Sequence, residues 1–170
     1  MANPTMTLIS SNTVGSGGVY SVTFSAIPQT YTDLKILMSV RDTGSGTNFN
    51  LTFNGNGSGY NTIRLYGNGS STFSDSFSAQ AAAYIGWDTL STYTANTFSN
   101  IEFYIPNYTS SNYKSISNDG VSENNATTAI QGLHAALWQN TAAITSLSIS
   151  SGGTNHAQYS SFYLYGIKNN

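Results

Sequence analysis

The sequence predicts an all-β protein folded as a two-sheet antiparallel β-sandwich, and three observations carry that reading. Apolar residues recur at every second position over strand-length runs. Clusters of Gly and Asn separate those runs at strand-and-turn spacing. No helical pattern is bracketed by caps, so the chain lacks the helical crossovers that parallel strands need.

The first clear run covers residues 20–26, where Tyr20, Val22, Phe24 and Ala26 share one face and small hydroxyl residues the other. Leu34, Ile36, Met38 and Val40 repeat the pattern, with Lys35, Ser39 and Arg41 opposite. Phe49, Leu51 and Phe53 alternate with Asn and Thr, and Ile63 and Leu65 flank Arg64 as a further expected core pair. Ile101, Phe103 and Ile105 follow, then Leu147 and Ile149, then Phe162 and Leu164 opposite Tyr163 and Tyr165.

Residues 127–140 fit two patterns. Ala129, Leu133, Ala136 and Leu137 have helical spacing, whereas Ile130, Gly132, His134, Ala136 and Trp138 fit one face of a strand. Without a cap, strand is the better reading; residues 79–84 are similarly ambiguous. Turn signals stand at residues 15–18, 27–28, 44–46, 54–59, 67–69, 119–120 and 152–153. Eight to ten strands are expected, packed as one sandwich over residues 1–170, with 1–6 and 168–170 as short tails. For a chain of this length the jelly roll is the natural form of such a sandwich.

Charge is scarce. Lys and Arg number five and Asp and Glu seven, or 7% of 170 residues, with a net charge of −2. Ordinary soluble domains carry about a quarter charged residues. No run of Lys or Arg could track phosphates, so no nucleic-acid partner is expected. No apolar run is long enough to span a bilayer, and no basic and apolar leader opens the chain, so neither membrane nor signal peptide is expected. Cysteine is absent, which removes disulfides and thiolate chemistry.

Candidate chemistry is thin, and no enzyme, cofactor or metal site is expected. Most of the seven carboxylates sit beside turns or a basic neighbour, as Asp33 does near Lys35 and Asp42 beside Arg41, and read as solvated or turn-capping. His134 and His156 show no metal-ligand spacing, and no nucleophile elbow is present. Residues 118–125 gather oxygen donors of the type calcium accepts, but without the spacing of an EF-hand loop; a plain polar loop is the simpler reading. The aromatics are more informative. Tyr104, Tyr163 and Tyr165 alternate with core positions and should project from the opposite face, while Trp87 lies near a turn. These four are the candidate interface or glycan platform; packing within the domain is the third reading.

Residues 7–18 followed by Val22, Phe24 and the phrase Ile27-Pro28-Gln29-Thr30-Tyr31-Thr32-Asp33-Leu34 resemble the opening of a group of tailed-phage virion proteins, notably from phages of cyanobacteria and aquatic bacteria. The Asn-Gly-rich turn after Phe53 and the closing Ser161-Phe162-Tyr163-Leu164-Tyr165-Gly166-Ile167 are similar too. The resemblance covers roughly the first 65 residues and the last ten, and carries no active-site residues. It implies a jelly-roll protein of the virion: a capsid decoration (cement) protein on the outer surface of the head, or a tail-fibre module. Size, and the absence of any fibre shaft, favour decoration. The implied partners are the major capsid protein and further copies of the chain, as trimers at local three-fold axes. The implied location is the capsid surface, after synthesis in the host cytoplasm. The alternative is a receptor-binding or carbohydrate-binding β-sandwich.

Overall fold

In the computed structural model, which describes residues 5–45 and 48–168, the chain forms twelve strands and, among those residues, no helix. In chain order these are β1 (Met6–Thr13), β2 (Ser21–Phe24), β3 (Asp33–Val40), β4 (Phe49–Phe53), β5 (Tyr60–Gly67) and β6 (Thr72–Gln80). They continue with β7 (Ala83–Ile85), β8 (Ser99–Ile105), β9 (Lys114–Glu123), β10 (Ala129–Trp138), β11 (Leu147–Ser151) and β12 (Ser161–Ile167). An eight-stranded sheet in the order β1-β12-β3-β8-β9-β10-β5-β6 packs against a four-stranded sheet in the order β2-β11-β4-β7, with antiparallel pairing throughout. The β-sandwich expected from the alternation is the observed fold.

The core lies between the sheets and is filled by the residues that the period of two places there. Leu34, Ile36, Met38 and Val40 of β3 are buried, as are Ile101, Phe103 and Ile105 of β8. From the smaller sheet Phe49, Leu51, Phe53, Leu147 and Ile149 meet them. Each such side chain contributes about 1.5–3 kcal/mol by leaving water. Trp138 of β10 closes the core, its ring 5.3 Å from Phe53 and 6.1 Å from Tyr60. Residues 129–138 therefore form a strand, and Gly132, His134, Ala136 and Trp138 are its buried face.

The Asn-Gly signal after β4 makes a tight turn. Asn54 and Gly55 both have positive φ (53° and 67°), and the Asn56 N–H donates to Phe53 O at 2.8 Å. Positive φ at both central residues is the hairpin geometry that Asn-Gly favours. The Asn54 side chain then accepts from the Thr145 and Ser146 N–H groups (2.8 and 3.1 Å), fastening this turn to the entry of β11.

Four expectations are corrected. There are twelve strands rather than eight to ten: β1, β6 and β9 are built mainly from Ser, Thr, Asn and Asp and lack an apolar period. The expected turn at Asp119-Gly120 and most of the expected polar loop at 118–125 lie inside β9, whose side chains alternate between faces. Ile63 and Leu65 are not core: they are 57% and 55% exposed, while Tyr60 and Thr62 of the same strand are buried. Asp33, Asp42 and Asp88 are buried rather than solvated, although Asp33 and Asp42 do cap turns by accepting the Asn107 and Gly44 N–H groups. The ends are also shorter as tails than expected, since Met6 opens β1 opposite Ile167 and the Lys168 N–H donates to Thr5 O. Residues 1–4 and 169–170 of those tails, and Gly46 of the expected turn at 44–46, lie outside the described residues.

Candidate interaction face

The outer face of the eight-stranded sheet can be read row by row from its register. One row runs Tyr165, Lys35, Tyr104, Ser117, Ala135, Ile63 across β12, β3, β8, β9, β10 and β5. The next runs Tyr163, Leu37, Glu102, Asp119, Leu133, Leu65 over the same strands. The face thus has a tyrosine-rich, charged half on β12-β3-β8 and, beside the exposed Asp119 of β9, a mostly apolar half on β9-β10-β5.

In the first half, Lys35 pairs with Glu102 at 2.9 Å. Tyr104 donates its hydroxyl to the Asp33 carboxylate, and that hydrogen bond to a carboxylate pushes the phenol up to about 12. Asp33 also accepts the Asn107 N–H at 2.8 Å, so it fixes the turn after β8 as well as the ring. Tyr163 is exposed and Tyr165 half-buried. Tyr104, Tyr163 and Tyr165 therefore share one face, with Lys35 directly between Tyr165 and Tyr104.

Trp87 is not with them. It follows β7 on the inner side of the large sheet, its ring 4.5 Å from Tyr66 and 5.0 Å from His134. The Arg64 guanidinium lies 4.9 Å from the same ring and 4.7 Å from Phe77. Trp87 packs within the domain and does not extend the tyrosine surface.

The apolar half was missed by the alternation argument. Ile63, Leu65 and Leu133 (56%) stand more than half exposed, with Val121 beside them. They border a groove of about 730 Å³ lined by Leu65, Phe73, Val121 and Leu133 among others, with no charged residue in its wall. A usable signal was present: Tyr60, Thr62, Arg64 and Tyr66 share one parity, so two aromatics favour the face opposite Ile63 and Leu65. The buried parity of β10 likewise puts Leu133 outside.

The two histidines and Lys114 are enclosed. His134 accepts the Gly86 N–H on Nδ1 at 2.8 Å, and burial, helped by the Arg64 charge, brings it down to about 4. His156 packs between Phe49 and Phe162 (5.6 and 5.0 Å) and is lowered by burial. Lys114, buried at the end of β9, donates to the Ser110 and Asn112 carbonyls at 2.8 and 2.6 Å. Among the described residues no three His, Asp or Glu side chains gather as metal ligands. No protein-family model and no curated protein matches the chain.

Proposed function

We propose that this protein is a virion structural protein of jelly-roll type, a capsid decoration (cement) protein that binds the outer surface of a phage head and stabilises contacts between capsid subunits. The observation that carries the reading is the apolar stripe of Ile63, Leu65, Leu133 and Val121 on an otherwise polar, weakly charged sheet. A contiguous exposed apolar patch on a small domain marks an interaction surface. A partner that covers it must leave Asp119, directly across from Leu133, at the rim or pair it with a cation. The resemblance of the opening and closing segments to tailed-phage virion proteins supplies the setting. The major capsid protein and further copies of this chain are the partners of this reading, with trimers adopted by analogy.

A second reading, a tail-fibre or glycan-binding module, is favoured by one feature: the exposed ring of Tyr163 beside Tyr165 on the same face. A copy count of the chain in purified particles, by quantitative mass spectrometry against the major capsid protein, separates the two. Hundreds of copies in a fixed ratio support decoration. A few to a few dozen move the protein to the tail, and absence from the particle defeats both.

A further inference from the structure

At one end of the sandwich, two acidic side chains are buried on neighbouring segments, with no Lys or Arg paired to either among the described residues. Asp42, just beyond β3, is fully buried (0% exposed), and Asp88, just beyond β7, is 2% exposed. The backbone brings the two segments together, since the Asp42 N–H donates to Thr89 O at 2.9 Å. Asp42 is well provided: it accepts the Gly44 N–H at 2.5 Å and the hydroxyls of Ser151 and Thr154. Neither carboxylate oxygen of Asp88 has a hydrogen-bond partner. The Gly152 amide, next to Ser151, lies near enough to favour its charge slightly, but without hydrogen-bonding geometry.

Among the described residues the base that faces Asp42 is His156, bridged to it through the backbone; burial lowers the pKa of its imidazole, which keeps it neutral. Arg41 is adjacent in sequence, yet its guanidinium is committed to the carbonyls of Ser91, Tyr93, Thr94 and Thr97. A buried carboxylate with neither partner nor donor is among the costliest groups a fold can hold. The hydroxyl oxygens of Ser151 and Thr154 stand against Asp42.

We infer that Asp42 and Asp88, with the Ser151 and Thr154 hydroxyls, form a calcium site that ties the ends of β3, β7 and β11 together. Calcium takes irregular sets of carboxylate, hydroxyl and carbonyl oxygens, whereas magnesium demands a regular octahedron and keeps its water. Two carboxylates neutralise the ion, and uncharged oxygens complete its shell. The unengaged oxygens of Asp88 are the ones that the ion would satisfy. This inference is independent of the proposed role in the virion.

The test is thermal unfolding of the full chain at pH 7, stripped with EDTA and then supplied with calcium chloride or magnesium chloride. Calcium should raise Tm by about 5–10 °C when present at a hundred times its dissociation constant, and magnesium by much less. Asp88→Asn, which keeps the shape of the side chain, should remove the response. Titration calorimetry on the unsubstituted chain should give one calcium per chain, a readout that survives should the variant fail to fold. No calcium response, or one that persists in Asp88→Asn, overturns the assignment.

Discussion

Arg64 and Asp75 face each other across the β5–β6 pair, with Nε to Oδ1 at 2.5 Å and Nη2 to Oδ2 at 2.9 Å. The pair sits on the inner side of the large sheet among Tyr66, Phe77 and Trp87, whose rings lie 5.3, 4.7 and 4.9 Å from the guanidinium carbon. A planar cation that bonds a carboxylate in its plane can also lie against rings by its faces. Arg64 uses both properties, and so a charged residue takes an inward position that the flanking Ile63 and Leu65 would otherwise claim.

Arg64→Ala should therefore destabilise the protein by about 2–3 kcal/mol, summing a partly desolvated cation–π stack and a partly exposed ion pair. Asp75→Asn should cost less, because Asp75 is the more exposed partner. The hydrogen bond from Arg64 holds the Asp75 carboxyl below its ordinary value. Its contribution is present above the unfolded carboxylate range and lost as pH falls through the folded value. Denaturant titrations of the unsubstituted chain and Asp75→Asn should accordingly converge in acid, below the ordinary carboxylate range.

This pair also shows where sequence reasoning stopped. Alternation located β3, β4, β8, β11 and β12 and their buried faces, because each carries apolar residues at one parity and polar residues at the other. In β5 both parities are attractive to a core: Ile63 and Leu65 on one, Tyr60, Arg64 and Tyr66 on the other. A period of two assigns residues to faces but does not say which face is inside. Strands β1, β6 and β9 were illegible for another reason. Their cohesion is backbone pairing with neighbours, and Ser, Thr and Asn side chains mark neither face. The tyrosine face was legible because Tyr104, Tyr163 and Tyr165 each flank a core residue, whereas the position of Trp87 depends on a loop after β7 that no period describes.

The face assignment gives a paired prediction. Phe53→Ala, in a fully buried site against Tyr60 and Trp138, should cost about 3–5 kcal/mol in chemical denaturation. Ile63→Ala, at an exposed position, should stay within about 0.5 kcal/mol. Equal losses at both would show that β5 is turned the other way.

Gly166 on β12 lies under the ring of Tyr31, where an added Cβ would sit 2.3 Å from Cγ and 2.4 Å from Cδ2. These atoms are near the root of the ring, so the whole side chain would have to move. Gly166→Ala should cost about 1–3 kcal/mol as an overpacked site. Gly67→Ala, whose nearest neighbour would be 3.7 Å away, should be milder in the same thermal melt.

Leu133→Asp places a charge in the middle of the apolar stripe without touching the core. The fold should persist, with a far-ultraviolet spectrum close to that of the unsubstituted chain, because the side chain is already exposed, while Tm should fall slightly because the new carboxylate stands directly across from Asp119. On the proposed decoration role, binding to empty capsid shells should fall at least tenfold, since an interface core tolerates charge poorly. Undiminished binding would move the contact to the tyrosine half of the face, and Tyr163→Ala would then be the variant to measure.

His134 makes acid stability a test of the interior. It is buried beneath Trp87, accepts the Gly86 N–H on Nδ1, and is held to about 4 by burial and by Arg64. Unfolding returns it to an ordinary value near 6.5, so between those two values the unfolded chain binds the extra proton. Stability must then decline as pH falls from about 6.5 to about 4, with a contribution on the order of 3 kcal/mol from this one ring. His156, lowered by burial as well, adds a decline of the same sign. His134→Asn keeps an acceptor for the Gly86 N–H and removes the titration. It should start less stable at pH 7, having lost the ring packing, but lose less on acidification to pH 4.5. If its urea midpoint falls over that range as steeply as that of the unsubstituted chain, the neutral, desolvated state assigned to His134 is wrong.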